Sequence, residues 1–155
     1  MTEDIFDEGN FGASAEMKAM QVDWGTPGDF ILGTFVQARH NVETQFGENS
    51  IYELYAERGS FHKLTKKVAA DIPTIINRGE TWSVWGRNDI FNGQMNSLRP
   101  GQVVKISFTE QKEGKSGDWK DVKIYAPRNS DGSPVMNEEW LAANGPTVSE
   151  QFKNM

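Results

Sequence analysis

The sequence contains no cysteine, which excludes disulfides, thiol nucleophiles and cysteine-ligated zinc. It has only two histidines, His40 and His62, and no G-x-S-x-G elbow, so a histidine-based hydrolase has little to be built from. No run of about 18 apolar residues occurs, so no membrane-spanning helix is expected. The opening MTEDIFDEGNFG lacks the basic and apolar regions of a secretory signal, and a cytoplasmic site of action is the expectation. The Gly-Lys-Ser of EGKSGD lacks the preceding glycine that a phosphate loop needs, and neither internal repeats nor low-complexity segments are present.

What is there is the material of one folded domain. The 155 residues are 37% hydrophobic and 25% charged and include 15 glycines, which implies a turn-rich fold with a core of useful size. The formal charge of -6 is unevenly spread. Residues 1–29 carry seven acids against Lys18, whereas residues 30–126 carry 13 basic against 11 acidic side chains. The acidity therefore belongs to the flanks, and the body has a slight basic excess that leaves a nucleic-acid partner open.

Three regions follow from this pattern: an acidic N-terminal arm over 1–22, a β-domain over 23–126, and a C-terminal tail over 127–155 with a short helical segment around Trp140 and Leu141. Within the domain, Pro27-Gly28 turns the chain into an aromatic and β-branched strand from Phe30 to Val42, with Gly33 marking a bulge or bend. IYELYAE alternates, with Tyr52, Leu54 and Ala56 on one face and Glu53, Tyr55 and Glu57 on the other. Arg58-Gly59-Ser60 reads as a turn into a hairpin insertion, SFHKLTKK. VAADIPTIINRG suggests one helical turn before Pro73 and then an extended piece. TWSVW follows as a strand whose odd spacing sends Trp82 inward and Trp85 outward. Asn88 or Asp89 caps a short helix with the stripe Phe91, Met95, Leu98, stopped by Pro100-Gly101. QVVKISFTE, a polar loop containing Trp119, and VKIYA complete the domain. This order predicts an all-β, OB-fold-like five-stranded barrel, with the helix between its third and fourth strands; an SH3-like barrel or a small β-sandwich stands behind it.

The combination of WGTPGDFILGTF, GETWSVWG and LRPGQVVKISF followed by DVKIY resembles small phage-encoded OB-fold single-stranded DNA-binding proteins over about two thirds of the chain. The resemblance implies a non-enzymatic binder of single-stranded DNA in replication or recombination. It also implies that the acidic arm could occupy a basic groove or recruit replication or recombination proteins. A homo-oligomer is compatible with it, and no membrane, metal or cofactor is called for.

The residues themselves give the same direction. Single strands are held by aromatic platforms that stack on bases and by Lys or Arg along the backbone path. The predicted outward faces offer Tyr55 and Trp85, with Arg87 beside Trp85. Trp119 sits in the last loop next to Lys120. Phe61, Lys63, Lys66 and Lys67 form the most basic stretch, and Arg39 adds a charge near the end of the first strand. A structural or assembly protein built on the same barrel, with its arm and Trp140 tail folded onto neighbours, is the rival expectation. A metal-dependent nuclease is a weaker third, its only loose candidates being Asp71, Asp89, Asp118 and Asp121.

Overall fold

Alternating apolar positions build the strands of a computed structural model in which residues 20–45, 47–115 and 117–144 are described. The elements are β1 (Met20–Gln21), β2 (Phe30–Thr44), β3 (Gly47–Phe61), β4 (Leu64–Thr65), β5 (Val68–Ala69), β6 (Thr74–Ile76), β7 (Thr81–Trp85), α1 (Asp89–Asn96), β8 (Val103–Lys112) and β9 (Trp119–Tyr125). A second helix, α2, covers 138–144. Residues 1–19 of the acidic arm lie outside the described residues, while Met20 and Gln21 pair in parallel with Trp82 and Ser83 of β7.

The main sheet runs β1-β7-β3-β2-β8-β9, with β6 also on β3. Its β7-β3-β2-β8 portion is a Greek key, three consecutive antiparallel strands with the fourth returning beside the first. The order of long strands and the place of α1 agree with the OB-like expectation. A closed five-stranded barrel does not form among the described residues. β1 takes the free edge of β7, so the sheet curls into a half-barrel with an open seam between that edge and β9. Two side chains span the seam among the described residues: Arg87 donates from Nη2 to the Lys120 carbonyl at 3.3 Å, and Lys120 donates from Nζ to the Trp24 carbonyl.

Curvature comes from three irregularities in the β2–β3 ladder, between Leu32 and Gly33, Phe35 and Gln37, and Arg39 and Val42. At the first, Leu32 faces Arg58 and Gly33 faces Ala56, so Glu57 is the extra residue and the inward parity of β3 flips after it. The turn expected at Arg58-Gly59-Ser60 is therefore strand. Gly59 is there for close approach, since a Cβ would lie 2.4 Å from the Phe30 carbonyl oxygen. The helical turn expected before Pro73 is also absent: bends at Asp71 and Ile72 lead straight into β6. The expected hairpin insertion is β4–β5, turned by Lys66 and Lys67 at φ 51° and 67°.

Burial of Ile31, Phe35, Tyr52, Leu54, Trp82, Val84, Val104, Ile106 and Phe108 fills the concave side. α1 starts where Asn88 Oδ1 accepts the Phe91 N–H at 2.8 Å, and it lays Phe91 and Met95 on this core. Asn137 opens α2 in the same way, accepting from the Trp140 N–H, and its amide donates to Thr34 Oγ1 at 2.7 Å. Trp140 is buried against its own chain, contrary to a tail that reaches for neighbours with that ring.

Candidate nucleic-acid interface

Strand parity places Trp82 and Trp85 on opposite sides of β7. Trp82 is buried and meets the Phe61 ring edge-on, with centroids 5.3 Å apart. Trp85 is half-buried and lines a cleft of about 250 Å³ in the open seam. The cleft is lined by Gln21 to Trp24, at and just after β1, by Arg87, two residues beyond β7, and by Lys120 from β9. Leu64, the first residue of the β4–β5 hairpin, lines it too.

The chain is led to this geometry by Asp29. Its buried carboxylate accepts the Gly25 and Thr26 N–H groups at 2.9 Å each, the His62 N–H at 3.0 Å and His62 Nδ1–H at 2.7 Å. Asp23 accepts the Leu64 N–H at 3.0 Å. These two carboxylates hold the cleft wall against the base of the hairpin. The hairpin tip, Lys66-Lys67, follows Leu64 by two to three residues, roughly 10 Å of extended chain.

Electrostatics concentrate on Arg87 and Lys120, neither of which forms an ion pair among the described residues. Lys120 donates from Nζ to the Trp24 carbonyl at 2.5 Å and lies 5.7 Å over the Phe108 ring. Burial pushes its ammonium below the ordinary lysine value, the Arg87 charge acts in the same direction, and Asp23 and Asp29 partly offset both. Desolvation lowers the Arg87 guanidinium as well. Two cations crowded together beside an aromatic ring are relieved by an incoming anion, which supplies the charge partner that water supplies poorly there.

This makes a pH prediction with a definite sign. Phosphate at Lys120 raises its depressed pKa, so binding takes up protons. Affinity should be full below the lowered Lys120 value and fall as pH rises through it, before ordinary exposed lysines titrate near 10.4. Titration with oligo(dT) from about pH 7 to about pH 10 measures this, and Lys120→Gln should flatten the profile. In the free protein the same shift acts oppositely: the cost of burying charged Lys120 is relieved over that window, and stability rises slightly with pH.

Other expected interface residues divide. Lys63, Lys66 and Lys67 are exposed on and beside the hairpin, and Tyr55 is half-buried on the outer face of β3. Phe61 is corrected: the parity flip at Glu57 turns it into the core, 3% exposed, so it cannot stack on a base. Arg39 is corrected too, because its Nε and Nη2 both donate to the buried Glu53 carboxylate, which already neutralises it. Trp119 is the first residue of β9 rather than a loop residue; it pairs with Lys112, whose ammonium lies 5.2 Å over the indole, and 46% of it is exposed. Sequence reasoning missed the Gln21–Trp24 wall, which depends on a parallel pairing across about sixty residues of chain. Among the described residues no three His, Asp or Glu side chains gather as a metal site, and no helix is long and apolar enough to cross a membrane.

Fold and site together define a curled, OB-like β-sheet with an aromatic and cationic cleft in its seam. No protein-family model matches the chain, and no curated protein matches it. Among solved structures, a small single-stranded DNA-binding protein from Streptomyces coelicolor is similar over 67% of this chain and 93% of that chain, at 14% identity and a TM-score of 0.30.

Proposed function

We propose that this protein binds single-stranded DNA without catalysing a reaction, using the seam cleft as its primary contact. The observation that carries this is the meeting of Trp85, Arg87 and Lys120 in one cleft: a half-exposed indole for a base, with two cations that form no ion pair among the described residues for the adjoining phosphates. Trp119, next to Lys120 in the chain, and the Lys66-Lys67 tip, two to three residues beyond Leu64, extend the path in this reading. Nucleic acid with no sequence preference suits a site whose polar contacts are charges rather than base-reading amides. The setting we propose, replication or recombination in a bacterial virus or mobile element, comes from the sequence resemblance alone.

Tryptophan fluorescence titrated with oligo(dT) tests the proposal. Trp24, Trp82 and Trp140 are buried, so quenching should come from Trp85 and Trp119. Two cleft cations predict a fall in log K of about 1.4 per tenfold rise in salt, at roughly 0.7 per phosphate contact. No response up to tens of micromolar, near ordinary non-specific affinity, overturns it. A second reading, a scaffold that docks on protein, is favoured by Val68, Ile72 and Ile75, exposed at 68%, 81% and 56% within eight residues of chain. Solution size measurement separates the two: an assembly through that edge should persist without nucleic acid.

A further inference from the structure

The seam cleft accounts for Trp85, Arg87 and Lys120, yet the outer face of β8 and β9 repeats the same pairing of rings and charges. Trp119, Asp121, Lys123 and Tyr125 alternate outward along β9, while Val122 and Ile124 pack on the core. Trp119 and Tyr125 are 46% and 47% exposed. Across the ladder Lys112 stands opposite Trp119 and Lys105 opposite Tyr125, and the Lys105 ammonium lies 5.2 Å over the Phe30 ring.

We infer that this face is a second subsite for the same single strand, taking it from the cleft across Trp119 and along β9 to Tyr125. The inference rests on the reading of the cleft as a single-strand site. Continuity is given by the chain: Trp119 directly precedes Lys120, whose side chain turns into the cleft while the indole turns outward. Six residues of strand span ~20 Å, so the face adds several nucleotides to the path, within the roughly 4–16 that one such fold accommodates. The occupant is a polyanion bearing flat apolar groups, because exposed rings here alternate with ammonium groups.

Two carboxylates restrain the face, Asp121 chief among them. Asp121 Oδ2 lies 3.5 Å from Lys112 Nζ and 3.9 Å from Lys123 Nζ, and Glu110 also reaches Lys112 at 3.5 Å. A phosphate has to compete with Asp121 for two lysines. Removing that charge should therefore strengthen binding, an effect that a merely structural Asp121 would not give.

The test is anisotropy of labelled oligo(dT) of about 5 and about 15 nucleotides with the full chain, comparing wild type, Tyr125→Ala, Asp121→Asn and Trp85→Ala. Tyr125→Ala should weaken the longer ligand by about 5- to 150-fold, the range of one lost stack, and leave the shorter one unchanged. Asp121→Asn should tighten the longer ligand several-fold and steepen its salt dependence by about 0.7 in the log-log slope, the amount for one freed lysine, since Glu110 still holds Lys112. Wild-type behaviour of both variants with the longer ligand, while Trp85→Ala weakens both lengths, overturns the second subsite and leaves the cleft standing. Wild-type protein that binds neither length overturns the cleft and the subsite together.

Discussion

Trp82→Ala should unfold much of the protein, whereas Trp85→Ala, three residues away, should leave it folded and weaken DNA binding. Trp82 is buried at 4% exposure, edge-on to Phe61 and hydrogen-bonded from Nε1 to Glu80 at 3.4 Å. Truncating a buried tryptophan costs about 3–5 kcal/mol, a large share of the ~5–15 kcal/mol that holds a domain together. Trp85 faces the cleft and is already half-exposed, so its removal opens no sealed cavity. A lost base stack is worth about 1–3 kcal/mol, or roughly 5- to 150-fold in affinity. Urea midpoints and oligo(dT) titrations on both variants check the contrast. Equal destabilisation by the two would mean that the faces of β7 are wrongly assigned.

The second large effect is expected at Asp29. Asp29→Ala removes one carboxylate and leaves the N–H groups of Gly25, Thr26 and His62, together with His62 Nδ1, without their acceptor. An unsatisfied buried donor costs about 1–3 kcal/mol; water can reach part of this cluster, so the sum should be about 3–5 kcal/mol rather than the full total. Asp29→Asn should recover much of the loss, because one Asp29 oxygen accepts all three N–H groups and the amide oxygen can take its place, while the amide N–H meets only His62 Nδ1, which can accept as the other tautomer. The loss should also reach binding, since the Gly25–Asp29 turn carries the cleft wall at Trp24. A urea unfolding free energy lowered by less than 1 kcal/mol would show that these bonds are replaced easily.

How far the sequence reveals these features depends on the range of the interaction. Alternation in IYELYAE, TWSVW and QVVKISF is local, and each strand lies where its pattern places it. Asn88 and the Phe91, Met95, Leu98 stripe are likewise visible within one helical turn or two. Phe61 could not be read this way, because the extra residue at Glu57 reverses parity in a manner that only the register with Leu32 and Gly33 reveals. Gly59 looks like a turn residue but serves the close approach of β2 to β3 at the Ile31 pair. Trp119 looked like a loop residue because Gly114 and Gly117 surround a turn that is tighter than its composition suggests. Arg39 has nothing in its own segment to predict Glu53. The outward Trp85 was legible from parity alone; its partner Lys120 was legible as a charge, but not as a neighbour of Arg87.

The two-residue strand β1 has a consequence for the order of assembly. Met20 pairs with Trp82, so this contact closes a loop of about sixty residues for very little buried surface, and Met20 itself stays exposed. Long closures with small returns form late in folding and fray early in the native state. The β2–β3 ribbon, closed by a hairpin, should form first and β1 last. The wall of the cleft is then the least protected stretch of the sheet, and hydrogen exchange at Gln21 and Val22 should run ahead of exchange in β3 by orders of magnitude. A bound strand that rests on this wall would slow its opening, linking occupancy of the seam to the rate at which the N-terminal segment detaches.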